Sequence, residues 1–281
     1  LLWLCVVGYS ACESLRYVGI ALGKCSALLR RCGDVTCDLC IMSINSCLVF
    51  TGSKTGGNQS KRNLVKNGNP EARVIAETGG LNAMVVDSTA LCEQVTRDVI
   101  DGAFKSAGQR CSALRVLMIQ EECFDETLKM IKGAMMELNI GNPKHLSTDC
   151  GPVINDDARL KLQGYIDQSR KRSQIIGEIQ CNLNAGYYVS PTIIHLKSID
   201  EINEEFFGPI LHVISYKSSE LEDMIDRLNN KGFGLTFGIH SRIDKQVEEI
   251  TSRVNAGNIY VNRNQIGAIV GSQPFGGEGF S

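Results

Sequence analysis

The chain has 281 residues, 43% of them hydrophobic, with 29 basic against 31 acidic side chains and a net charge of −2. That length can bury one large or two medium cores, and the charge balance gives no general pull toward nucleic acid or an anionic membrane surface. No apolar run reaches the roughly 20 residues of a membrane-spanning helix.

Residues 1–47 show little periodicity, and seven of the 12 cysteines fall before position 48. Leu1 to Val7 has the apolarity of a signal-peptide core but neither an initiating Met nor a basic leader. The expectation is a chain that begins inside a longer protein, in a reducing, cytoplasmic setting. A disulfide framework belongs to small secreted domains. The lone pair Cys37 and Cys40 has no partner pair to complete a zinc site, and buried or solvated thiols are the favoured reading there.

From Leu48 the pattern turns regular. Leu48-Val49-Phe50 is a short strand followed by Thr51-Gly52-Ser53. Lys54 to Pro70, polar and rich in Gly and Asn, reads as a loop with a short helix. Ala72–Ala76 and Asn82–Val86 read as strands. Leu91, Val95, Val99 and Ala103 recur every four residues and mark an amphipathic helix. Arg115–Ile119 is a strand. Asp125 is expected to cap a helix carrying Leu128, Ile131 and Leu138 that ends at Gly141. A helix follows over 156–171, with Leu160, Leu162 and Ile166 toward its buried side. Then come a strand over 213–216, a helix from Ser219 to about Gly232, a strand over 234–240, a helix striped by Val247, Ile250 and Val254, and a strand over 258–261. This alternation predicts an α/β fold with a largely parallel sheet.

Two signals carry chemistry. Cys111 stands in Ser106-Ala107-Gly108-Gln109-Arg110-Cys111-Ser112, after the helix that ends near Ala103. A thiolate is the strongest nucleophile among side chains near neutral pH, and the small neighbours open the backbone to a substrate. A buried structural thiol is the alternative. Glu77, in Glu77-Thr78-Gly79-Gly80, ends a strand where α/β sheets bind ligands; it is either a general base or a solvated acid. Gly52 and Ser53 form an ordinary turn or, if a helix follows, a phosphate site at its N-terminus. Glu205 and Phe207 in the run Glu204 to Pro209 either end a helix or grip a ribose diol beside a planar ring. Phe275 in Pro274-Phe275-Gly276-Gly277 lies in a plain turn or in a loop closing a pocket.

Taken in order, FTGS, AETGGLNAMVVDS, FKSAGQRCSALRVL, GNP, LSTDCGPVI, YVSPTII, EFFGPILHV, GNIYVNRN and GAIVGSQPFGGEG make the chain resemble the aldehyde dehydrogenase superfamily from about Leu48 to Ser281. Within it the chain is similar to the L-glutamate γ-semialdehyde (Δ1-pyrroline-5-carboxylate) dehydrogenase module of bifunctional proline utilisation proteins.

The resemblance implies a three-layer α/β catalytic domain over 81–281, and over 1–80 the second part of a Rossmann-like NAD domain, irregular through 47. It implies Cys111 as nucleophile and Glu77 as the base that activates water. Gly52, Ser53, Thr78, Gly79, Glu205 and Phe207 would bind NAD. Ser112, Gly267, Ala268 and Phe275 would hold a small-molecule aldehyde. Neither a metal nor a nucleic acid is implied. A proline dehydrogenase domain in the same parent chain and a homo-oligomer are. The implied activity is NAD-dependent oxidation of glutamate semialdehyde in proline degradation. The alternative is an inactive fragment without the amino-terminal half of the cofactor site, and a weaker rival is a cofactor-independent cysteine hydrolase.

Overall fold

In the computed structural model the described residues are 47–67, 70–181, 186–269 and 271–281. The Cys37/Cys40 pair and the irregular start lie outside them. The chain divides into two compact units. One takes in the described residues up to Gly79 with Ala268–Gly276 and Phe280–Ser281; the other comprises Gly80–Gly267 with Gly277–Gly279.

The first unit is a strand–helix–strand element. β1 (Cys47–Thr51) and β2 (Arg73–Glu77) pair in parallel, with Thr51 opposite Glu77, and α1 (Lys54–Asn67) connects them. Where the sequence suggested mostly loop, α1 runs for 14 residues. Its intrinsic propensity is poor, since Gly and Asn weaken helices. Local bonds and packing override that. The Ser53 hydroxyl accepts from the Gly56 N–H at 3.1 Å and so caps the helix, the Ser60 hydroxyl donates to the Gly56 carbonyl at 2.9 Å, and Leu64 is buried.

The second unit is built on a seven-stranded sheet. Its strands are β3 (Ala83–Val86), β4 (Val116–Gln120), β5 (Ile175–Glu178), β6 (Thr192–Leu196), β7 (Ile210–Tyr216), β9 (Thr236–His240) and β10 (Asn258–Val261), in the order β10-β9-β3-β4-β7-β6-β5. All neighbours are parallel except β5 with β6. A two-residue strand, β8 (Phe233–Gly234), pairs with β11 (Glu278–Gly279).

Side chains alternate across this sheet, as parallel strands covered on both faces require. Ala83, Val85, Val116, Met118 and Ile194 enter one core with residues of α4 (Asp156–Lys171), α5 (Leu221–Asn230) and α6 (Asp244–Arg253). Met84, Val86, Leu117, Ile119 and Ile193 enter the other with α2 (Cys92–Phe104) and α3 (Phe124–Met136). The expected three-layer α/β arrangement is therefore present.

Several boundaries differ from expectation. α3 begins at Phe124, so Asp125 lies in its first turn and is not its cap, and the helix stops at Met136, short of Gly141. Leu160 points to solvent while Leu162 and Ile166 are buried, because positions 162 and 166, four apart, share a face that 160 does not. Among the described residues no helix is long and apolar enough to cross a membrane.

Candidate active site

Within the second unit, Cys111 sits in the loop between α2 and β4. Three consecutive residues before it take left-handed backbone: Ser106 at φ 58°, Ala107 at φ 52° and Gly108 at φ 62°. Non-glycine residues rarely adopt this conformation, and it persists only where surroundings over-determine it. Gly108 shows why. A Cβ there would stand 2.2 Å from the Gly208 carbonyl oxygen, so only glycine lets the two backbones approach.

The loop's carbonyls are then held one by one. Asn82, just before β3, donates from Nδ2 to the carbonyls of Cys111 at 2.6 Å and Ala113 at 2.9 Å. The Thr236 hydroxyl reaches the Ser112 carbonyl at 3.5 Å. Arg115 donates through Nη1 to Gly108 at 2.7 Å and through Nη2 to Arg110 at 3.2 Å. On the outer side, the Gln109 side chain accepts from the Ile154 N–H at 2.9 Å and donates to the Pro152 carbonyl at 3.2 Å. Cys111 itself is half-buried and Ser112 is buried.

Arg115 also reaches the second cluster. Its Nε and Nη2 both donate to Glu205 Oε1, at 3.3 and 3.1 Å, and its Nη1 donates to the Gly208 carbonyl at 3.2 Å. Burial lowers the Arg115 pKa, and the charges of Glu205 and of Cys111 oppose that. Burial raises the Glu205 carboxyl, while Arg115 and the Gly80 backbone N–H pull it back. Both shifts are those of an ion pair taken out of water and held by hydrogen bonds. The two phenylalanines that follow Glu205 diverge. Phe206 is buried and stacked on Tyr165 with ring centroids 3.6 Å apart, whereas Phe207 is 41% exposed, 5.0 Å from the Arg115 guanidinium carbon. One buried cation thus ties the loop that carries Cys111 to Glu205 and lies beside Phe207. Gly267, also in this unit, has φ 81° and open space where a Cβ would be.

In the first unit the other expected residues gather at the ends of β1 and β2. The Gly52 N–H donates to the Glu77 carbonyl at 3.1 Å, and a Cβ on Gly52 would lie 2.7 Å from the Phe50 ring. Ser53 caps α1, which places its hydroxyl at a helix N-terminus. The Thr78 hydroxyl donates to the Phe280 carbonyl at 2.6 Å, and Gly79 is buried. Burial holds the Glu77 carboxyl above its ordinary range. The 268–276 segment, which contains Ala268 and Phe275, passes close to it: a Cβ on Gly276 would lie 3.4 Å from Glu77 Oε1.

The sequence reading assigned no role to Asn82, Arg115, His212 or Tyr165. Arg115 had a signal, being a charge inside the apolar run Ala113-Leu114-Arg115-Val116-Leu117. Such a charge is rarely buried unless paired. Asn82, His212 and Tyr165 carried none, because their partners are distant in sequence.

The sequence model of the aldehyde dehydrogenase family matches residues 26–281. The chain is 47% identical over 244 residues to the bifunctional protein PutA of Klebsiella aerogenes, an alignment covering 83% of this chain and 19% of that protein. It is 31% identical over 279 residues to 1-pyrroline-5-carboxylate dehydrogenase of Geobacillus thermodenitrificans, covering 97% of this chain and 53% of the other. Among solved structures, a proline utilization A mutant (D779Y) from Bradyrhizobium japonicum superposes with a TM-score of 0.83 at 44% identity, covering 88% of this chain and 25% of that one. A 1-pyrroline-5-carboxylate dehydrogenase from Thermus with bound NAD superposes at 0.79 with 29% identity, covering 88% and 48%. The chain thus spans about a fifth to a half of the curated relatives' lengths. It belongs to the aldehyde dehydrogenase family.

Proposed function

We propose that the protein oxidises L-glutamate γ-semialdehyde to L-glutamate with NAD+, in the degradation of proline. The observation that carries this reading is a cysteine on a rigid, carbonyl-pinned loop tied through Arg115 to a carboxylate. The identity to PutA and 1-pyrroline-5-carboxylate dehydrogenases supports the choice of substrate.

Each unit carries residues whose chemistry suits one part of a dinucleotide. Both Arg115 bonds fall on Glu205 Oε1, which leaves Oε2 with lone pairs for a ribose hydroxyl, and the exposed face of Phe207 suits a planar ring. Ser53 and the N–H groups opening α1 suit a pyrophosphate. Gly52, Thr78 and Gly79 line the same strand ends.

Cys111, as thiolate, adds to the aldehyde carbon: a C–S bond forms, the C=O π bond breaks, and the oxygen is left as the alkoxide of the thiohemiacetal. NAD+ held by the residues named above would supply the hydride acceptor that oxidation of this adduct to a thioester requires. Glu77 then removes a proton from water, the hydroxide attacks the thioester carbon, and the C–S bond breaks to release the acid and regenerate the thiolate. Ser112, Gly267 and Ala268 hold the substrate's α-carboxylate, the last two through backbone N–H groups, and Phe275 lines the approach of the aldehyde.

The same reading gives a proline dehydrogenase domain in the natural full-length protein, homo-oligomeric assembly and a cytoplasmic setting. The test is NADH formation from glutamate semialdehyde by that full-length protein, measured beside Cys111→Ala. Turnover lost in the variant is the expected result; a chain that binds no NAD+ in calorimetry would favour the inactive reading.

A further inference from the structure

We propose that Arg115 is the positioning residue of the reaction, a buried cation that fixes the nucleophile loop relative to the Glu205 carboxylate. The role rests on the reading of Cys111 as nucleophile and names the element that regulates its placement.

A guanidinium has five N–H donors in a fixed fork. The five hydrogen bonds described above match that number, and Arg115 is 1% exposed. The acceptors lie on two separate segments. Gly108 and Arg110 belong to the nucleophile loop; Glu205 and Gly208 belong to the turn before β7. Stability alone does not demand such an arrangement, since apolar replacements of buried ion pairs are often neutral or stabilising. The fork's specific contribution is geometric. It sets two segments, 90 residues or more apart in sequence, in one register.

The Arg115 backbone is locked as well. Its carbonyl accepts from the His212 N–H at 2.9 Å and faces His212 Nδ1 at 2.9 Å. The Tyr165 hydroxyl lies 3.0 Å from His212 Nε2. These contacts select one tautomer, with Nδ1 donating to the carbonyl and Nε2 accepting from the phenol. Tyr165 in turn stacks on Phe206, next to Glu205. The contacts close a ring: Cys111 loop, Arg115, His212, Tyr165, Phe206, Glu205, and Arg115 again. Lysine in place of Arg115 keeps the charge but offers three donors on one nitrogen and cannot span both segments.

The experiment uses the full-length natural protein. The molar amount of reactive Cys111 is titrated with iodoacetamide, and kcat and the NAD+ KM are then expressed per reactive thiol. This readout removes any loss of folded material from the comparison. Arg115→Lys is expected to lower kcat per reactive thiol by about 100-fold, the scale of a small misplacement of reacting groups, and to raise the NAD+ KM with it. Tyr165→Phe, a milder change that keeps the stacked ring, is expected to lower kcat about fivefold through the orphaned His212 nitrogen. Tyr165→Phe decides the matter alone if Arg115→Lys does not fold. Wild-type kcat and KM per reactive thiol in Tyr165→Phe, or in a folded Arg115→Lys, beside an inactive Cys111→Ala would overturn the positioning role alone. Turnover by Cys111→Ala would remove the nucleophile and this role together.

Discussion

The Asn82 side-chain amide donates to the backbone carbonyl of Cys111 at 2.6 Å. The same amide donates to Ala113 at 2.9 Å and accepts from the Thr236 N–H at 3.1 Å. One buried side chain therefore connects the start of β3, the Cys111 loop and the start of β9. Asn82→Asp would turn a donor into a negatively charged acceptor facing two carbonyls. The expected loss is about 3 kcal/mol of stability, read from urea unfolding, with a smaller fraction of alkylatable Cys111. An unchanged midpoint would show that the loop is held by other means.

Gly108→Ala tests the left-handed turn. The added methyl meets the Gly208 oxygen at 2.2 Å in a backbone conformation with φ 62°. Both the strain and the clash act in the folded state, so the cost is expected at about 3 kcal/mol or more. The same substitution at Gly133, where a Cβ meets no atom within 4 Å, lies within a helix and is expected to stabilise by about 0.5–1 kcal/mol. Thermal melts of the two variants should move in opposite directions.

Glu77 gives a pH prediction. In the base role proposed for it Glu77 must be ionised to work, and burial raises its carboxyl above the ordinary range. The acidic limb of kcat is therefore expected at higher pH than a solvated glutamate would give, with activity rising as pH rises through it. In Glu77→Gln that limb should vanish and the acylated enzyme should accumulate, seen as a burst of NADH followed by slow turnover. A steady-state rate with an unaltered limb in the variant would assign the base elsewhere.

Stability should fall on acidification for a separate reason. His212 and His240 are buried, and their pKa values are lowered to about 4. In the unfolded chain they titrate near ~6.5. Their contribution is complete above that value, and it is lost as pH falls toward 4, because the unfolded state binds protons that the folded state refuses. Each is worth roughly 3 kcal/mol over that interval. The raised carboxyls of Glu77, Asp98 and Glu205 act in the opposite sense, so a difference between proteins isolates the histidine. His240 lies 3.4 Å from Asp98, remote in the fold from the Cys111 loop at the other ends of the strands. His240→Asn should reduce proton uptake on unfolding between pH 4 and 6.5 by about one, measured from the pH dependence of urea midpoints. An identical slope would mean that His240 carries its proton in the folded state.

Much of the second unit was legible in the sequence because its helices and strands announce their own period. The strand over 258–261 and the helix over 156–171 were placed to the residue, the latter because Asn155 caps it, accepting from the Ala158 N–H at 2.9 Å. The stripe Leu221, Ile225 and Leu228 is buried as its spacing implies. β5 and β6 were missed: β5 is short and half-buried, and β6 follows a proline that interrupts the pattern. α1 was read only as a short helix within a loop, because packing and capping, not composition, hold its full 14 residues. At the site, Cys111 stood out by its chemistry and its small neighbours. The connections did not, because Arg115 to Glu205 or Asn82 to Thr236 are contacts between segments that only folding brings together.

The most direct test of the account is mass spectrometry of the full-length protein after mixing Glu77→Gln with NAD+ and glutamate semialdehyde. The expected result is an acyl adduct whose mass equals the bound glutamyl group, localised by peptide mapping to Cys111 and absent when NAD+ is omitted. An adduct on any other cysteine, or NADH formation with Cys111 left unmodified throughout, would contradict it.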